Sequence, residues 1–299
     1  MIDLSRVARY ARQIDLRLNR SGAALMAGPH RSVFRGQGLT FVEHREFQFG
    51  DDVRHVDWNV TARRGRPFVK VFEEDRASGL LLVVDTSASM AVGTRAGNRR
   101  GLAAELAALF VVLAMRRGDR IGLLQFGAGI DAAIPLAAGR AHAEAILRAL
   151  DTDKISPGQT NVAMACERVR GILRRRGLVV LVSDFLARGY GPSLRALSAR
   201  HEVIALAVVD PLEANLPDAG LLRIADVETD ALRWVDSGSR KAREAYAEKW
   251  QEAQRARRRL FADYGISHAE IVVGRPYLGA LLNVCRLRRL ERRTDVVNC

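Results

Sequence analysis

From residue 79 onward the chain repeats one pattern: a short apolar run, a polar stop, then a longer helical stretch. "GLLLVVD" (79–85) and "GLVVLVSD" (177–184) are continuous apolar runs closed by aspartate, as strands covered on both faces of a parallel sheet would be. "RIGLLQF" (120–126) and "GIDAAIPL" (129–136) lie close enough to pair as a hairpin, and "EVIALAVVD" (202–210) and "AEIVV" (269–273) supply further strands. Helices are expected over about 98–117, 140–150, 161–175, 191–200, 239–264 and 276–292. Parallel neighbours need a crossover, usually a helix. The alternation therefore predicts an α/β fold with a doubly wound, Rossmann-like, mainly parallel sheet over residues 79–299. Prolines and short strands at about 211–238 interrupt it as an inserted hairpin.

Residues 1–78 read differently, as a smaller N-terminal α+β region. An amphipathic helix is expected over 3–20. In "FVEHREFQFGDD", Phe47 and Phe49 alternate with polar neighbours ahead of a Gly50-Asp51-Asp52 turn. Val53, Val56 and Val60 have the spacing of a short helix, and "RPFVKVFEED" reads as a strand. Asp51, Asp52 and Asp57 lie among Arg45, Arg54, Arg63 and Arg64, so ion pairs are expected to fix the turn, with Trp58 packed at the domain junction. "DDVRHVDWNVTA" lacks the central glycine and closing glutamate of an EF-hand loop.

Composition narrows the class. Hydrophobic residues make up 48% and charged residues 27% of the 299 positions, which suits a globular chain rather than a disordered one. The net charge of +13 is carried almost wholly by arginine, with lysine only at positions 70, 154, 241 and 249. Such a balance favours anionic partners, but the basic runs are scattered, as solvated helix faces would scatter them. Cys166, Cys285 and Cys299 lie far apart with no CxxC, which fits a reducing compartment. The start, "MIDLSRVARYARQIDLRL", lacks the apolar core of a signal peptide. "LAAELAALFVVLAM" (102–115) contains Glu105 and is shorter than the ~20 residues of a bilayer span. No membrane span and a cytoplasmic location are expected.

Chemistry is expected at the strand ends, because ligands of open α/β sheets sit outside the carboxyl ends of the strands where their order reverses. "LLLVVDTSASM" ends its strand on Asp85 and follows it with Ser87 and Ser89. Asp184 closes a second apolar strand, and Thr160 stands in a glycine-containing loop ahead of a helix. Each residue has a plainer explanation: Ser87, Ser89 or Thr160 could cap a helix, and strand-end aspartates are common. Together, Asp85, Ser87, Ser89, Thr160 and Asp184 make an all-oxygen set suited to a small divalent cation. Mg²⁺ takes six oxygens and retains several waters, so few carboxylates suffice. Two carboxylates balance its charge, and three neutral hydroxyls leave room for an anionic oxygen from outside.

These residues carry a resemblance. "DTSASM" resembles the first motif of the metal-ion-dependent adhesion site of von Willebrand factor A domains, "GQTNV" its threonine loop and "VSDF" its third motif. The resemblance implies Mg²⁺ or Mn²⁺ at Asp85, Ser87, Ser89, Thr160 and Asp184, and protein–protein binding as the activity. "REFQFGDDVRHVDWNVTARRGRPFVKVFEED" (45–75) and "DPLEANLPDAGLLRIADVETD" (210–230) resemble the bacterial domain of unknown function fifty-eight family. Its members typically accompany AAA+ ATPases of the MoxR class, which implies an adaptor or co-chaperone whose partner is such an ATPase or its client.

Rival functions lack their residues. A haloacid-dehalogenase-type phosphatase needs a second aspartate two residues after the first, where this chain has Ser87. There is no G-x-S-x-G elbow around "DTSASM", and no Walker A loop, HExxH or dinucleotide fingerprint. The six histidines show no ligand spacing. A metal-dependent hydrolase remains the enzymatic alternative. Nucleic-acid binding through the basic surface is the other, although the basic end of the last helix also suits the helix dipole.

Overall fold

The structure is a computed structural model that describes residues 2–20, 31–32, 39–48, 51, 56–74, 79–91, 93–94, 97–152, 155–156, 158–225 and 232–284. The chain divides into two compact units, Met26–Ala77 and the remainder, Met1–Leu25 with Ser78–Cys299. The first helix, α1 (Leu4–Arg20), belongs with the larger unit, whereas its position in the sequence groups it with the amino-terminal region.

In the small unit, β1 (Arg31–Ser32), β2 (Leu39–Glu46) and β3 (Phe68–Glu74) form an antiparallel sheet in the order β1-β3-β2, beside helix α2 (Trp58–Arg64). The helix begins later than the valine spacing implied. Asp57 caps it by accepting from the amides of Asn59 and Val60, and Val56 bridges to Val69 instead. Asp57 also meets His44 Nε2 at 2.9 Å, and Arg45 pairs with Asp51 at 2.8 Å. Trp58, expected to be packed, is 65% exposed. Asp52, Arg54 and Phe49 lie outside the described residues.

The larger unit is built on a six-stranded sheet. In chain order it comprises β4 (Leu80–Asp85), α3 (Ala88–Ala91), a small ribbon of β5 (Gly93–Thr94) and β6 (Gly97–Asn98), α4 (Arg99–Arg117), β7 (Ile121–Phe126) and β8 (Ile130–Ala137). There follow α5 (Arg140–Leu150), α6 (Val162–Ile172), β9 (Leu178–Ser183), α7 (Gly191–Ser198), β10 (Glu202–Val209) and a 3-10 turn, Pro211–Glu213. A hairpin of β11 (Leu221–Ala225) and β12 (Leu232–Asp236), α8 (Arg240–Asp263) and β13 (Ser267–Val272) come next, and a helix starts at 278. The sheet order is β13-β10-β9-β4-β7-β8, parallel throughout except for the edge pair β7–β8.

Both faces of the sheet are covered. Leu81, Val83, Leu124, Phe126, Val179, Leu181, Val203, Ala205 and Ala207 pack with residues of α6, α7 and α8 such as Val169, Leu194 and Phe261. The alternate residues Leu80, Leu82 and Val84 are equally buried, and α4 lies against β4, β9 and β10. Apolar almost all round, α4 is itself covered by α1, whose Val7, Ala11 and Ile14 form one buried helical stripe. Glu105, the lone acid within that buried helix, accepts from Arg6 of α1 and from the Tyr277 hydroxyl at 2.6 Å, so its charge is both paired and hydrogen-bonded. Among the described residues no helix is long and apolar enough to cross a membrane.

The chain leaves β4 for β7 on one side and returns to β9 on the other, so strand order reverses between β4 and β9. Loops crowd the carboxyl ends there. Ser156 N donates to Thr86 O, and Asn161 N donates to Gly127 O at 2.8 Å. Gly127 is pressed so closely that a Cβ would lie 2.3 Å from Ser156 Cβ. Gly127→Ala should therefore dislodge the segment around 156–160 and lower stability by about 1–3 kcal/mol. A urea midpoint unchanged from the parent would show that this loop is not seated as described.

Candidate metal centre at the strand-order switch

Parallel pairing of β4 with β9 brings Asp85 beside the end of β9, because Val84 is in register with Val182. Asp85 is fully buried. Its Oδ1 accepts from the Ser87 amide at 2.9 Å and its Oδ2 from the Ser183 hydroxyl at 2.6 Å. Ser183 Oγ accepts in turn from the Phe185 amide at 3.0 Å. Phe185 has φ 55°, the left-handed region that non-glycine residues rarely enter, and its ring is held against Phe261 and Tyr190. That turn sets Asp184, which is buried and accepts from Leu186 N through Oδ1 at 3.0 Å.

The two hydroxyls after Asp85 face each other, Ser87 Oγ to Ser89 Oγ at 3.0 Å. Neighbouring oxygens on an octahedron of ~2.0–2.1 Å radius are about 2.9 Å apart, so this pair has the spacing of two adjacent ligands of a Mg²⁺-sized ion. Thr86, which stands between Asp85 and Ser87 in sequence, is committed elsewhere, to Phe126 O at 2.9 Å and to Asp131. Thr160 is buried in the loop ahead of α6. The cap of α6 is Asn161, which accepts from Met164 N, so the capping explanation of Thr160 fails. Asn161 N in turn holds this loop to Gly127, whose Cβ position lies 3.5 Å from Ser87 Cα.

Electrostatics at this end of the sheet are unbalanced. Burial, and then the nearby Asp184 carboxylate, push Asp85 up to about 7, against the hydrogen bonds from Ser183 and Ser87. Burial also pushes Glu213 above its ordinary value; Arg99 pulls it back, and Asp184 and Asp210 add to the rise. Crowded carboxylates of this kind are relieved by a cation. Among the described residues no group of three or more His, Cys, Asp or Glu side chains is placed to hold a metal ion, so a cation here would rely on the two carboxylates and the hydroxyls. That donor set fits a hard divalent ion and does not fit a soft one.

Three residues at the site escaped the sequence reading. Ser183 bonds Asp85. Arg99, the first residue of α4, donates through Nη1 to Asp184 Oδ2 at 2.7 Å and through Nη2 to Glu213. Arg257 of α8 donates to the Asp184 carbonyl at 2.8 Å. Neither arginine is marked by a local motif, since each is one of many in the chain. Ser183 sits inside the quoted "VSDF", where the alternation of β9 gave the only signal that it faces away from Val182.

Residues 43–257 match the family described as protein of unknown function DUF58, and the chain belongs to that family. It is 36% identical over 235 residues to the uncharacterized protein Rv1480 of Mycobacterium tuberculosis, covering 78% of this chain and 74% of that one. Among solved structures it is similar to the conserved hypothetical protein BatB from Bacteroides thetaiotaomicron, at TM-score 0.44 and 14% identity, over 69% of this chain and 96% of that one. A likeness of the same order links it to an aerotolerance-related membrane protein from Bacteroides fragilis, at TM-score 0.46 and 15% identity, over 70% and 96%.

Asp85 makes a pH dependence testable. Its value in the folded chain, about 7, lies above the ordinary 3.8, so between these the native state holds a proton that the unfolded chain releases. Raising the pH through that window removes stability, and the loss is complete above it. Asp85→Asn cannot ionise and escapes the loss. In chelator, the stability of the variant relative to the parent should rise from pH 4 to pH 7 and then level off, as read by urea unfolding. A difference independent of pH would show that Asp85 is ionised throughout.

Proposed function

We propose that this chain is a metal-dependent protein-interaction module in which Asp85, Ser87, Ser89, Thr160 and Asp184 hold Mg²⁺ or Mn²⁺. When bound, the ion supplies positive charge and a coordination position for an acidic side chain of a protein partner. The observation that carries this reading is the pairing of β4 with β9. It sets two buried carboxylates at the strand-order switch, next to hydroxyls 3.0 Å apart.

The chain's own part is to hold these oxygens ready. Ser183 and the Ser87 amide fix the Asp85 carboxylate, and Leu186 N and Arg99 fix that of Asp184. Each carboxylate oxygen already accepts one hydrogen bond, which favours single-oxygen contacts with a small ion over chelation. The neutral hydroxyls add donors without adding negative charge, so a carboxylate from outside is not repelled.

The partner we assign is a MoxR-class AAA+ ATPase or its client, with this chain as adaptor, the role that the family resemblance implies. A pull-down with such an ATPase, in Mg²⁺ and in excess chelator, tests it. Capture should depend on Mg²⁺ and should vanish in Asp85→Ala, while circular dichroism shows that the variant is folded. Ser87→Ala and Thr160→Ala should weaken metal affinity, read by Mn²⁺ titration, without unfolding the chain. Capture that persists in chelator would defeat the metal reading. Capture lost steeply with salt but indifferent to chelator would favour the basic surface instead.

A further inference from the structure

The second carboxylate of the proposed metal centre is shared with a cation that the protein carries itself. The Arg99 side chain is 3% exposed, and its guanidinium spans Asp184 Oδ2 and Glu213 Oε1. Its place is unusual for a helix: the first turn of α4 already bears the positive end of the helix dipole, where acids rather than bases are favoured. The two acids it meets therefore account for its position. Glu213 lies in the 3-10 turn Pro211–Glu213, which leads from β10 towards the inserted hairpin, and its side chain is 27% exposed. Leu212, next to it, is 69% exposed. One guanidinium thus ties the start of α4, the end of β9 and the turn after β10.

Two cations that draw on one carboxylate oppose each other, and the opposition is strong where water is excluded. An acid on the far side of Arg99 reduces that opposition by balancing its charge. We propose that Arg99 is a resident counter-cation that holds down the metal affinity of the Asp85–Asp184 site, and that Glu213 sets how far it does so. The proposal rests on reading that site as a metal centre and adds its regulation. Drawing the 211–213 turn away from Arg99 leaves the full guanidinium charge on Asp184 and loosens the metal. By linkage, metal binding favours the turn in its present position. The exposed turn and hairpin are then the handle through which a bound partner controls metal occupancy.

The experiment uses Mn²⁺ alone as probe with the full chain, read by isothermal titration, by the electron paramagnetic resonance of free ion and by the Mn²⁺-induced rise in Tm. Arg99→Gln should bind Mn²⁺ about tenfold more tightly, and Glu213→Gln about threefold more weakly. The double variant, which removes one charge of each sign, should return close to the parent. If Arg99 serves only to hold Asp184 in place, both single variants bind more weakly and the double variant is no better; that result overturns the proposal. Should Arg99→Gln fail to fold, Arg99→Lys decides, because it keeps the charge and loses the two-pronged hold on Asp184 and Glu213: Mn²⁺ binding close to the parent's supports the proposal, and clearly weaker binding overturns it. A parent that binds no Mn²⁺ defeats the metal centre itself, and the inference with it. A parent that binds, with variants that do not move apart in opposite directions, defeats the inference alone.

Discussion

The parallel pairing of β4 with β9 brings Asp85 and Asp184 to the same end of the sheet, both buried, and burial together with the Asp184 carboxylate pushes Asp85 up to about 7. Everything around this end of the sheet answers that crowding. Backbone amides of Ser87 and Leu186 point at the carboxylates, the Ser183 hydroxyl donates to one, and the Arg99 guanidinium donates to the other. Charged groups buried with such partners are tolerable, and without them they are not.

The supports reach far through the fold. Phe185 keeps its left-handed backbone because its ring is wedged against Phe261 of α8, and Arg257 of the same helix takes the Asp184 carbonyl. Phe261 and Arg257 are four residues apart and share one face, so one helix supplies both the apolar wedge and the hydrogen bond. On the opposite layer α4 brings Arg99 into the crevice with its first residue, and Asn98 caps it there by accepting from Gly101 N. The length of α4 is secured against α1 by the Glu105 cluster with Arg6 and Tyr277. Positioning of the site is thus a property of the whole larger unit.

Most of this architecture was legible from periodicity. The apolar runs at 80–85, 121–126, 178–183 and 202–209 and the helices between them fall within one to three residues of their expected bounds, since burial on both faces leaves a continuous apolar signal. The first helix was legible as a helix but not as a neighbour of α4, because its stripe of Val7, Ala11 and Ile14 says that it is covered without saying by what. Trp58 misled for the opposite reason: a large aromatic residue suggests burial, while the local interaction that decides its position is the Asp57 cap. Thr160 lost its capping role to its neighbour Asn161, a choice between adjacent good caps that composition does not make.

By itself the sequence determined the type of fold, the strands that end in aspartate, and the hydroxyls that follow them, because these are encoded within runs of a few residues. Only the tertiary structure decided which of the 47 lysine and arginine side chains reaches the Asp184 carboxylate. It also decided that Ser183 rather than Thr86 turns towards Asp85, and that Glu213 stands behind Arg99. Those choices follow from strand order and helix placement, which bring together residues about 100 positions apart, and no local pattern records a partner at that distance.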